Sequence, residues 1–154
     1  MKTLQIVKNL LLSASVLFIA VSCNDDDGPE PFVPGSEVYQ LAEVGASGVS
    51  GTATFTEQED GSTIVEIELT GTTAGNMHPA HIHQGSIAVP GNAVITLNDV
   101  DGDTGRSVTQ VIQMDVALTP LTYDELVEYG GYINVHLSNA DDSVVAQGNI
   151  GSSE

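Results

Sequence analysis

The chain has 154 residues, 21 aspartates and glutamates, and only 3 lysines and arginines, giving a formal charge of −18 with histidines neutral. So few cations exclude nucleic acid as a partner, because phosphate contacts are built from clustered Lys and Arg. The same field attracts divalent cations and also serves solubility, while a lone cysteine, Cys23, excludes an internal disulfide and leaves the fold to rest on its core.

Residues 1–22 carry Lys2 and Lys8, then the apolar run "LLLSASVLFIAVS". That run is short for a bilayer span, and its flanks are those of a secretory signal. It ends in "AVSC", which resembles a bacterial lipobox with Ala20 where leucine is usual. The resemblance implies cleavage before Cys23, lipidation of that cysteine, and a membrane anchor. Residues 23–35, "CNDDDGPEPFVPG", combine acids with Pro and Gly and read as a solvated tether. Acids directly behind a lipidated cysteine resemble the export signal of surface lipoproteins in Bacteroidetes. That implies an outer-membrane lipoprotein exposed on the cell surface; a plain spacer would leave it on the periplasmic face. Loss of the signal removes both lysines and leaves Arg106 as the one cation against 21 acids, a formal charge of −20.

Residues 36–151 suffice for one domain with a single core. Short stretches rich in β-branched residues recur between turn signals, the pattern of an all-β protein. In order they are "EVYQLAEV", "GVSGTATFTE" with the acidic turn "QEDGS" behind it, "TIVEIELT", "PAHIHQG", "AVITL" and "SVTQVIQMDVAL". In the third, Val65, Ile67 and Leu69 alternate with Ile64, Glu66 and Glu68, so one face is buried and one wet. "LTYDELVEYGG" offers Thr122 as N-cap with Glu125 three positions on, a capping box, and Gly130 and Gly131 to end the helical turn. "YINVHLS" and "SVVAQGNI", joined by the turn "NADD", complete the domain, with 152–154 as a tail. The expected fold is an antiparallel, Greek-key-like β-sandwich of about eight strands with one short helix.

Three of the four histidines fall in "HPAHIHQG" and the fourth in "YINVHLSN". On a strand, His81 and His83 share a face with Ile82 on the other, so two imidazoles can reach one metal. Zinc takes three or four ligands and copper also favours imidazole. His136 is the candidate third ligand, sharing its strand face with Asn134 and Ser138. His78 stands before Pro79 and is either a fourth ligand or a surface residue at the strand entrance. The alternative is an HxH pair that only bonds to neighbours or water.

"AHIHQG", followed by Pro90–Gly91 and "AVITL", then "LTYDELVEYGGYINVHLSN" and a closing "AQGNIG", resembles the CHRD domain, named after chordin. The resemblance spans about residues 37–151. Leu137 replaces a usual threonine, and "SVVAQGNI" lacks the usual glutamate and arginine. It implies a secreted or lipid-anchored β-domain and carries no defined activity. The histidine order also resembles the copper half of Cu,Zn superoxide dismutase, which implies copper at His81, His83 and His136. No histidine between 83 and 136 bridges to zinc, and Arg106 is only a weak stand-in for a guiding arginine.

"NDVDGDTG" spaces Asp99, Asp101 and Asp103 like the start of a calcium loop. Thr104 then stands where such a loop needs glycine, and Gln110 where it needs a bidentate glutamate, so calcium is a minor expectation behind copper and zinc. Ser86 has no G-x-S-x-G around it and no orienting acid. Two function classes remain. One is a non-enzymatic, lipid-anchored module binding protein, glycan or matrix at the envelope. The other is a copper-handling protein that stores metal or runs redox chemistry at the three histidines.

Overall fold

A computed structural model describes residues 30–115 and 118–154; the signal-like segment and Cys23 lie outside the described residues. Eight strands follow one another: β1 (Ser36–Glu43), β2 (Ser50–Glu57), β3 (Thr63–Thr70), β4 (Met77–Ser86), β5 (Val89–Asp101), β6 (Arg106–Val111), β7 (Gly131–Ser138) and β8 (Asp141–Ile150). One helix, α1 (Tyr123–Val127), precedes β7. All pairings are antiparallel, in the closed order β1-β2-β3-β6-β5-β4-β7-β8. Two of its seams are thin. β5 meets β6 in register only at Asp101 and Arg106, and β8 meets β1 only at Ala42 and Glu43. The barrel is thus two four-stranded sheets joined at their margins, which is how it carries sandwich character. The chain passes from β3 to β4 across two strand positions and does so again from β6 to β7, and these are its Greek-key crossings.

Alternation builds the core. In β3 the side chains of Val65, Ile67 and Leu69 are buried while Glu66 and Glu68 face out, as the sequence pattern predicts. Phe55 from β2, Ile82 from β4, Ile133 and Val135 from β7 and Ile150 from β8 meet them with no solvent exposure. Tyr39 approaches Phe55 edge-on at 5.0 Å between ring centroids, a favoured aromatic geometry. The predicted capping box is present. The Thr122 hydroxyl accepts from the Glu125 amide, and the Glu125 carboxylate accepts from the Thr122 amide. The helix is only one turn, and it seals the core with Leu126 and Tyr123.

The sixth strand is shorter than its sequence suggests. It ends at Val111 rather than running on to 118, because Thr63 opposite Val111 is the last residue β3 can offer. The chain then turns back: the Met114 amide donates to the Thr119 carbonyl, and the Leu118 amide to that of Met114. Asp115 fastens this turn over β5, its amide donating to Val94 and its carboxylate accepting from Thr96. β5 is longer than "AVITL", because pairing with β4 continues on both sides of it. Just before the two-residue turn between β4 and β5, the β4 bulge places Gly85 at a φ of +91°, a conformation glycine adopts readily. Beyond β8, Gly151–Ser153 form a 3-10 turn, and the Ser153 hydroxyl donates to the Gly85 carbonyl at 2.8 Å.

Candidate metal centre

β4 and β7 are the two inner strands of the β5-β4-β7-β8 sheet, and His81, His83 and His136 lie on its outer face. Pairing sets Ile82 opposite Ile133 and Ala80 opposite Val135, all four buried. The intervening residues His81 and His83 must therefore point outward. His81 lies in register with Asn134 and His83 with Tyr132, which puts His136 diagonally beside His81. The ring centroids of His81 and His136 are 5.5 Å apart, and those of His81 and His83 are 6.1 Å apart. One ligand nitrogen from each of the three residues can be chosen so that all lie within 4.8 Å of one another, and all three residues are half-buried. Among the described residues no other group of three or more His, Cys, Asp or Glu meets that criterion.

The backbone orients two of these rings. His83 Nδ1 donates to the Gly91 carbonyl on β5 at 3.2 Å, and His136 Nδ1 donates to the Asp142 carbonyl on β8 at 2.7 Å. With its proton fixed on Nδ1, a neutral imidazole presents Nε2 as a free lone pair. In His83 that Nε2 is buried and has no hydrogen-bond partner. Tyr132 stacks under the His83 ring at 4.9 Å and donates its hydroxyl to the same Gly91 carbonyl at 3.3 Å. Burial, and then the neighbouring His136 and His83, hold the His81 imidazole below its ordinary pKa, with Asp99 and Asp115 pulling the other way. His81 therefore stays neutral to lower pH than an open imidazole, the form a metal requires.

The donor set fits a tetrahedral or trigonal imidazole site. Nitrogens bound at about 2.0–2.1 Å stand about 3.3–3.6 Å apart in these geometries, so from nitrogens within 4.8 Å of one another the rings need to close by up to about 1.5 Å. His78 does not join them. It lies on the inner face of β4, 1 % exposed, because Met77 and Pro79 flank it on the outer side of the alternation. Its Nδ1 donates to the backbone carbonyl of His136 at 3.0 Å, making it a core tie between β4 and β7.

The aspartates proposed for calcium are not gathered either. Asp101 accepts from the Asp103 and Thr104 amides, Asp103 from the Gly75 amide, and Asp99 from the Asn139 side chain. These are turn contacts between strands. Arg106 forms ion pairs with Glu66 and Glu68 on β3, on the other sheet from the histidines, and so is committed away from them. The Ser86 hydroxyl accepts from the Val89 amide in the β4–β5 hairpin.

Residues 35–143 match the family model of the CHRD domain. The chain belongs to the CHRD-domain family. The matched CHRD region holds both histidine motifs and stops at Ser143, just inside β8, whereas the strand itself continues to Ile150 and closes the barrel. Among solved structures, superoxide dismutase 5 of Candida albicans, determined as a point mutant, superposes with a TM-score of 0.50 at 18% identity, covering 79% of this chain and 91% of that one. At that identity the likeness concerns the fold alone. No curated protein matches the chain.

Pairing also brings in groups that residue-type reasoning passed over. Tyr132 could have been found from alternation, since it lies two and four residues before Asn134 and His136. The Gly91 and Asp142 carbonyls carry no side-chain signal, and only the strand register reveals them.

Proposed function

We propose that this CHRD domain is a non-enzymatic metal-binding module of the cell envelope, holding one copper or zinc ion at His81, His83 and His136. One observation carries this reading: three imidazoles converge on an outer sheet face, and two are fixed by backbone carbonyls so that Nε2 is free. Copper is preferred over zinc because divalent copper binds imidazole sites more tightly. The strongly acidic chain favours cation capture over anion binding. The lipobox-like segment before Cys23 supports anchoring at the outer membrane, on the cell surface or on its periplasmic face, where the domain would meet protein, glycan or matrix partners.

Copper held this way would supply one-electron redox chemistry, and three ligands leave a position open for it. Superoxide dismutation is disfavoured. Arg106 is paired on β3, and the net negative field repels an anionic substrate.

The test is titration of the chelator-free protein with Cu(II) and with Zn(II), repeated on H81A, H83A and H136A. One ion per chain, bound more tightly than micromolar and weakened at least about tenfold in each folded variant, is the expected outcome. No binding tighter than micromolar, or binding indifferent to all three substitutions, would overturn the reading.

A further inference from the structure

Asn134 lies in β7 directly opposite His81, with Tyr132 and His136 two residues away on either side. Its chain neighbours Ile133 and Val135 are fully buried in the core, so alternation turns the Asn134 amide to the outer face that carries the histidines. Even so, Asn134 Oδ1 is buried and has no hydrogen-bond partner. Buried acceptors are rarely left in that condition, because each forfeits its hydration without recompense. The described residues hold five such side-chain atoms. His78 Nε2 faces the core, and Thr63 and Ser107 belong to β3 and β6. The other two, His83 Nε2 and Asn134 Oδ1, flank His81 on one face. Both carry lone pairs that no donor of the protein meets.

We infer that Asn134 Oδ1 is a fourth donor of the metal centre, and that this oxygen makes the centre selective for a divalent ion over Cu(I). The inference rests on the three-histidine reading above and adds to it a hard ligand that the histidine motifs do not contain. An amide oxygen is harder than imidazole, and its dipole gains more from a doubly charged ion than from a soft, singly charged one. Cu(I) is satisfied by the imidazoles alone and gains little from the amide. Being neutral, the amide adds this preference without a titration of its own.

The experiment measures Zn(II), Cu(II) and Cu(I) affinities by competition with chromophoric chelators, for the full chain and for Asn134→Leu and Asn134→Asp. Leucine keeps the branched outline and removes the oxygen. The expected result for Asn134→Leu is about a tenfold loss for both divalent ions, Cu(I) affinity within about twofold of the parent, and a metal-free melting temperature no lower than the parent's. Asn134→Asp restores divalent binding to the parent's level or above. Equal losses for all three ions would mark a structural defect and overturn the inference, as would unchanged Zn(II) and Cu(II) affinities. Divalent binding that is lost in the histidine variants but intact in Asn134→Leu defeats this inference alone. A parent chain that binds none of the ions defeats both it and the reading beneath it.

Discussion

Gly91→Ala perturbs the centre without touching a ligand. Gly91 sits in the β5 bulge opposite His83 and Gly85, and its carbonyl receives both His83 Nδ1–H and the Tyr132 hydroxyl. A Cβ on Gly91 would stand 2.5 Å from the Gln84 backbone oxygen, where ordinary contact begins at 3.4 Å. The obstacle is main chain, so the bulge must give by about 0.9 Å, the difference between those two distances. A displacement of that size is enough to carry a 3.2 Å hydrogen bond beyond useful range. His83 then loses both its tautomer lock and its fixed ring plane. Losing such an orienting partner costs about 10- to 100-fold in metal affinity, or about 1.4–2.7 kcal/mol. Competition titration with Zn(II), paired with the melting temperature of the metal-free protein, reads both effects. Zinc affinity within about twofold of the parent, in a variant whose lower melting point shows that the bulge has moved, would refute the claim that the Gly91 carbonyl organises the site.

Phe55→Ala empties the middle of the barrel and is expected to cost about 3–5 kcal/mol in urea unfolding, with metal stoichiometry unchanged in the fraction that folds. Thr122→Ala removes the hydroxyl that caps α1 and is expected to lower stability by about 0.5–2 kcal/mol, read as a shift in the urea midpoint at constant slope. For pH, the folded His81 has a lowered pKa, so between that value and the ordinary 6.5 the unfolded chain binds a proton that the folded chain refuses. Metal-free stability should therefore rise with pH through that window and fall as pH drops below 6.5. His81→Gln should flatten this part of the profile; a slope unaltered by the substitution would show that His81 is not its source.

Much of the fold was legible because period-two alternation is a local property. "TIVEIELT" declares its two faces, and "LTYDELVEYGG" declares its cap, without knowledge of any partner strand. The end of β6 was not legible. The alternation of "SVTQVIQMDVAL" runs past Val111, and what stops the strand is the exhaustion of β3 across the sheet. The candidate site divides in the same way. The face shared by His81 and His83 follows from spacing, and the structure brings His136 beside them through the register of β7. His78 was ambiguous because a residue before proline could have left the strand; pairing instead keeps it in the alternation, on the inner face. The acidic spacing of Asp99, Asp101 and Asp103 looks alike in a cation loop and in a turn. What separates the two is where each carboxylate finds its donors, which is a tertiary fact.

The most direct test of the metal centre is anomalous diffraction at the copper and zinc edges from crystals of the metal-loaded protein. One peak per chain is expected on the outer face of the β4–β7 pair, at about 2.0–2.1 Å from one nitrogen each of His81, His83 and His136. No peak there, or a peak held by other residues such as the aspartates of the 99–103 turn, would contradict it.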